Sequence, residues 1–305
     1  MHGPYPRRPA HRLGAVELHR ARTSSDVELA YWREGVGGVP LLLAHGWPET
    51  KRIWARNVEP LARAGFEVVV PDLRGFGDSS LAPDGFYDLA AHARDLHDLL
   101  TGLGHESCFA AGGDIGGAVI QDMGLRFEGF VRRQVLFNTV LPLLPELPRE
   151  LLPVTRAAAD YFVRQGRDAD GLAAELDTPD KRVRYIKEFY GHRFWATPGA
   201  FSDEDATWMA EPFADADKLR ASFGNYESAV GARPLSDTPR FFERNPVPTL
   251  VLHGPDDHVI WPDFPERCEL VFTELIGPFV VPRAGHFLQW ERAELLNQAI
   301  RYFCV

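Results

Sequence analysis

Residues 110–119 read AAGGDIGGAV. The apolar run at 107–111 predicts a buried strand, and the spacing over 115–126 predicts a helix. Between them, glycines at 112, 113, 116 and 117 flank Asp114. Such flanking permits a sharp strand-to-helix turn with close backbone packing, and the residue at its tip is forced out above the sheet. This is the pattern of a nucleophile elbow, usually G-x-S-x-G, with aspartate in the serine's place. The free N–H groups and positive dipole end of the following helix keep Asp114 ionised and nucleophilic. Two plainer readings compete. Asp is a favoured helix N-cap, and GGDIGG after a strand resembles a phosphate loop. The stretch lies mid-chain, however, and no acidic strand end follows at the distance a dinucleotide fold requires.

The exchange of serine for aspartate carries chemistry. A serine attacking saturated carbon would give an ether, which water does not cleave. A carboxylate attacking the same carbon gives an alkyl ester, whose carbonyl water can attack. An aspartate nucleophile therefore implies displacement at saturated carbon, by opening an epoxide or expelling a halide.

Outward from the elbow, short apolar runs alternate with amphipathic stretches. Strands are expected at 27–33, 39–44, 67–70, 107–111, 133–137, 249–253 and 278–281, and helices at 51–64, 87–102, 115–126 and 290–303. This alternation predicts an α/β fold, a mostly parallel central sheet flanked by helices. From 141 to 242 no strand pattern is found. The Pro-rich LPLLPELPRELLP at 141–153 reads as a linker, followed by helical patterns at 154–164, 181–194, 203–209 and 216–230. The expected organisation is a core of 1–140 and 243–305 with an all-helical cap inserted at 141–242, placed as a lid over the strand ends.

Three further strand ends carry chemistry. AHGWPE at 44–49 follows a buried strand, and a turn there aims the Trp47 N–H at the elbow. With the Ile115 N–H it would make a two-donor oxyanion hole; a plain loop held by His45 and Pro48 is the alternative. RAGHFLQWE at 283–291 places His286 after the last strand, where imidazole suits the activation of water. VLHGPDDHV at 251–259 places Asp256 and Asp257 past another strand, and one of them could orient the imidazole, or both could simply serve a turn. The order nucleophile, acid, base is that of a triad built on such an elbow.

Composition narrows the class. The chain has 305 residues, 45% hydrophobic and 25% charged, enough to bury a large core. With 33 basic and 43 acidic residues its net charge is −10, which disfavours nucleic acid and anionic membranes as partners. The three cysteines, Cys108, Cys268 and Cys304, form no CxxC, so neither a zinc site nor a disulfide framework is expected. No apolar run approaches the ~20 residues of a membrane span, and the first dozen residues, MHGPYPRRPAHR, read as a loose arm rather than a signal peptide. A cytoplasmic protein is expected. Nothing in the sequence sets an oligomeric state.

HGWPE, DLRGFGDS (72–79), GGDIGG, HGPDDHV and AGHFLQWE together resemble the α/β-hydrolase superfamily, specifically its epoxide hydrolase branch. The resemblance covers nearly the whole chain and is weakest in the insertion. It implies Asp114 as nucleophile, His286 as base, Asp257 as the acid that orients it, and the backbone of Trp47 and Ile115 as oxyanion hole. Some relatives carry the acid after the preceding strand, where this chain has the neutral Asn138 in LFNT. Two lid tyrosines of the family donate to the epoxide oxygen. ASFGNYES at 221–228 resembles the segment with the second, which makes Tyr226 the match. DYFVRQG at 160–166 resembles the other segment, but the usual donor position holds Ala158. Tyr161, one helical turn on, is its substitute. Both tyrosines also fit as aromatics of the lid core.

The resemblance thus implies hydrolysis of a small hydrophobic epoxide by water to a vicinal diol, with no metal or organic cofactor. Haloalkane and haloacetate dehalogenases are the rivals within the superfamily. The former commonly carry a tryptophan after the nucleophile and the latter carry arginines beside it, where this chain has Ile115 and Ala118. A non-catalytic ligand-binding protein on the same fold is the rival of another class, and it would not need a buried nucleophile and base.

Overall fold

The computed structural model describes residues 16–142, 144, 160–191 and 195–305. The expected N-terminal arm, nearly all of the 141–153 linker, and residues 154–159 with Ala158 lie outside these.

Eight strands form one sheet: β1 Leu18–Arg22, β2 Glu28–Glu34, β3 Val39–Ala44, β4 Phe66–Pro71, β5 Cys108–Gly113, β6 Val131–Thr139, β7 Thr249–His253 and β8 Leu275–Val280. Their spatial order is β1-β2-β4-β3-β5-β6-β7-β8. β1–β2 and β2–β4 pair antiparallel, and every other pair is parallel. The apolar runs at β4 and β5 are buried along their whole length, as strands covered on both faces must be.

Helices cover the sheet: α1 Val58–Arg63, α2 Leu89–Gly102 and α3 Asp114–Arg126 before the insertion, and α10 Phe264–Val271, α11 Leu288–Glu291 and α12 Ala293–Phe303 after it. The step from β3 to β4 runs one way across the sheet, and those from β4 to β5 and β5 to β6 run the other way. With right-handed crossovers this puts α1 on one face and α2 and α3 together on the opposite one. The direction reverses at β3, so the crevice at the carboxyl ends of β3 and β5 is the switch point where such sheets bind ligands.

Between β6 and β7 the described residues hold helices and no strand: α4 Asp160–Arg167, α5 Ala169–Glu175, α6 Pro179–Gly191, α7 Asp203–Ala210, α8 Ala216–Ser222 and α9 Gly224–Ala229. α4 packs on α9, and α6 on α7.

Several expected elements differ in extent. The 51–64 helix is a 3-10 turn, Lys51–Trp54, followed by α1. Buried Asn57 interrupts it and donates to Asn297 Oδ1 on α12 at 2.8 Å. The 290–303 helix begins earlier and breaks at Arg292, giving α11 and α12. The 216–230 helix is split at Phe223 into α8 and α9. β1 and α10 were not expected. β1 is LHRAR, a charged edge strand whose polar pattern carries no core signal.

Candidate active site

β5 ends at Gly113 and α3 begins at Asp114, whose φ of +46° is left-handed. Only a tightly constrained turn holds a non-glycine residue there. The constraint comes from glycines that admit backbone where a side chain would stand. A Cβ on Gly116 would sit 2.5 Å from the Ala44 carbonyl oxygen, and one on Gly46 would sit 2.4 Å from Asp114 Cβ. The elbow is thereby pressed against the end of β3. The Asp114 carbonyl accepts from Thr139 Oγ1 at 2.7 Å, which ties the turn to the end of β6.

The Trp47 N–H donates to Asp114 Oδ1 at 2.8 Å. Buried His45 fixes this turn through both ring nitrogens: Nδ1 donates to the Gly46 carbonyl at 2.8 Å and Nε2 accepts from the Leu73 N–H at 3.0 Å. Burial lowers its pKa, consistent with that neutral tautomer. Ile115 is the second residue of α3, so its N–H is among those with no carbonyl four residues earlier in the helix.

On the other oxygen of Asp114, His286 Nε2 lies 3.4 Å from Oδ2. That is ion-pair distance, and Nε2 makes no hydrogen bond. His286 Nδ1 is bound to Asp257 Oδ2 at 2.9 Å. Asp257 Oδ1 accepts from the Val259 N–H at 2.6 Å and the Ile260 N–H at 3.2 Å, which aims the carboxylate. Its neighbour Asp256 instead accepts from Thr197 Oγ1 at 3.2 Å; of the adjacent pair, Asp257 is the one on the imidazole. Burial works against charge on His286, but the Asp257 and Asp114 carboxylates outweigh it and hold its pKa well above the usual imidazole range. Asp114, Asp257 and His286 are thus one buried constellation.

Tyr161 on α4 stacks on the Trp47 indole, with centroids 5.8 Å apart and planes 4° apart. Tyr226 on α9 meets the same indole edge-on at 5.5 Å, and the two tyrosine rings are 5.8 Å apart. Trp195 and Phe189 complete an aromatic cluster, with Trp195 4.8 Å from the His286 ring. Its backbone carbonyl accepts from the His286 N–H at 2.6 Å.

Two residues of the site were not given roles in the sequence reading. Glu49, quoted only as part of HGWPE, is buried; it accepts from the Gly46 N–H at 2.6 Å and from Gln289 Nε2 at 2.8 Å. Burial, reinforced by the charge of Asp114, raises its pKa to about 7. Asn138 was noted only as a neutral residue at an alternative acid position, yet it bonds to both the loop that carries Asp257 and the loop that carries His286. The polar residue closing an apolar strand was the available signal for Asn138. Among the described residues no helix is long and apolar enough to cross a membrane.

Comparison with known proteins agrees with this architecture. Residues 39–293 match the family model described as alpha/beta hydrolase fold. The chain is 33% identical to "Epoxide hydrolase A" of Mycobacterium tuberculosis, over 92% of this chain and 95% of that one. It is 26% identical to the "Putative non-heme chloroperoxidase" of Synechocystis, over 90% and 94% of the two chains. A solved structure, the epoxide hydrolase CorEH without ligand, superposes with a TM-score of 0.80 at 23% identity, covering 94% of this chain and 98% of that one; at that identity the likeness shows the fold. The chain belongs to the α/β-hydrolase superfamily, and within it to the side of the epoxide hydrolase branch.

Proposed function

We propose that this protein is an epoxide hydrolase that opens a small hydrophobic epoxide through an ester on Asp114. The observation that carries the reading is the carboxylate itself at the elbow, held by the Trp47 N–H on one oxygen and faced by His286 across the other. An Asp nucleophile suits attack on saturated carbon.

In this reading Asp114 attacks an epoxide carbon, the C–O bond breaks, and the ring oxygen takes a proton from Tyr226, with Tyr161 as second donor. Esterification removes the negative charge of Asp114, one of the influences that hold the His286 pKa up. The imidazolium then releases its proton, which restores the tyrosine hydroxyl. Neutral His286, oriented by Asp257, takes a proton from water, and the hydroxide attacks the ester carbonyl. The Trp47 and Ile115 N–H groups hold the oxyanion. Collapse expels the diol alkoxide, which picks up the second water proton, and the first stays on His286. One water oxygen remains in Asp114. Residues 141–242, whose described helices carry the tyrosines, serve as the cap, and the aromatic cluster sets a preference for hydrophobic substrates.

A panel of terminal, internal and aryl epoxides, set beside halogenated alkanes and haloacetates, tests this. Diol from an epoxide with no halide released is the expected result. Halide release without diol formation would assign the same machinery to a dehalogenase.

A further inference from the structure

We infer that the Asn138–Thr139 pair at the end of β6 is the positioning hub of the site, holding the nucleophile turn with one side chain and both loops of the acid–base pair with the other. Both residues are fully buried. β6 lies between β5 and β7, so side chains at its end stand within reach of the loops that leave both neighbours. Thr139 reaches the β5 end: its hydroxyl donates to the Asp114 carbonyl at 2.7 Å, beside the parallel bridge between the two residues. Gly117 is part of the same fit, because a Cβ there would fall 2.3 Å from Thr139 Oγ1.

Asn138 reaches the other way. Its Oδ1 accepts from the Gly254 N–H at 2.9 Å, at the start of the loop that carries Asp257. Its Nδ2 donates to the Gly285 carbonyl at 2.5 Å and the His286 carbonyl at 3.3 Å. One amide therefore sets the separation between the loop that carries the acid and the loop that carries the base, upstream of the 2.9 Å bond between them. A carboxylate could not do this, since it has no donor for the two carbonyls. The backbone of Asn138 is left-handed, φ +41°, a conformation asparagine tolerates better than most residues.

The consequence for turnover rests on the proposed Asp114 ester; the consequence for the His286–Asp257 bond does not. Asn138→Gly keeps the left-handed backbone available and removes the amide. Asn138→Asp keeps the size and the acceptor for Gly254 but loses the donor, and it decides the matter if the glycine variant fails to fold. In the substrate-free protein, the low-field proton resonance of His286 Nδ1–H, assigned by its loss in Asp257→Asn, should shift or vanish in both Asn138 variants and persist in Thr139→Val. In single turnovers of styrene oxide with excess enzyme, the Asn138 variants should slow ester decay about tenfold or more, and alkylation less than about threefold, as expected for a displaced base. Thr139→Val should slow alkylation instead, and Thr139→Ser should restore it. An unchanged resonance in both Asn138 variants, or parallel loss of both steps in proportion to folded protein, would overturn the hub. Wild-type alkylation in Thr139→Val would remove Thr139 from it. If wild type forms no adduct on Asp114, the proposed reaction fails and the resonance alone decides the hub.

Discussion

The backbone N–H of Trp47 donates to Asp114 at 2.8 Å, while the indole of the same Trp47 is the surface that Tyr161 and Tyr226 both contact. That indole also donates to Ser222 on α8 at 3.1 Å. One residue thus joins Asp114, through its main chain, to the inserted helices, through its ring. A shift of the 45–48 turn would disturb both.

Gly46→Ala tests that coupling. The added methyl would stand 2.4 Å from Asp114 Cβ, so either the turn or the elbow must move. A displacement near 1 Å costs about 100-fold in rate. The expected outcome is a fall in kcat/KM of that order in protein that retains its circular dichroism spectrum. Activity within about threefold of wild type, well short of that displacement cost, would show that the contact can relax without consequence.

Tyr226→Phe should slow alkylation by ~100-fold or more, the usual cost of losing one donor to a developing oxyanion, and affect ester hydrolysis less. Tyr161→Phe should slow the same step. Rapid-quench measurement of adduct formation reads both. Normal alkylation in Tyr161→Phe would leave that residue as a member of the aromatic cluster around Trp47.

His286→Gln should permit attack on the epoxide and block hydrolysis of the ester. Intact-protein mass spectrometry should then show the enzyme carrying one added substrate mass. A variant that turns over without accumulating adduct would take His286 out of the mechanism.

Glu49 gives a pH signature. Its pKa is raised from 4.5 to about 7, chiefly by burial. Between these values the folded protein binds more protons than the unfolded chain, so this group's contribution to stability falls as pH rises and is constant above about 7. Relative to Glu49→Gln, wild type should lose up to roughly 3 kcal/mol of stability over that interval, since each pKa unit corresponds to 1.36 kcal/mol. Urea denaturation of both proteins across that interval measures it. A difference that stays flat with pH, or rises, would contradict the buried, proton-retaining carboxyl.

Much of this candidate site is legible in local sequence because each of its loops follows an apolar strand with its own glycine or Asp–His pattern. Asp114 is marked by four glycines, and each glycine proves to be a place where backbone or side-chain atoms crowd in. The choice between Asp256 and Asp257 is not legible from the residues themselves. It depends on two backbone N–H groups that aim only Asp257 at the imidazole. Glu49 and Asn138 stay hidden for a related reason, since their partners Gln289, Gly254 and Gly285 are far away in sequence. The helix break at Asn57 likewise goes with a distant partner, Asn297 on α12, and those at Phe223 and Arg292 leave no mark in the helical periodicity. β1 shows the limit of burial patterns: a charged edge strand pairs through its backbone and leaves no apolar alternation to read.

The most direct measurement is the origin of the new oxygen in the diol. A single turnover of styrene oxide with excess enzyme in ¹⁸O-water should give unlabelled diol, because the new oxygen comes from the Asp114 carboxylate. The water oxygen should appear in the peptide that contains Asp114, and repeated turnovers should label both. Diol labelled in the first turnover, with the Asp114 peptide unlabelled, would mean that water attacks the epoxide directly and would contradict the nucleophile at the elbow.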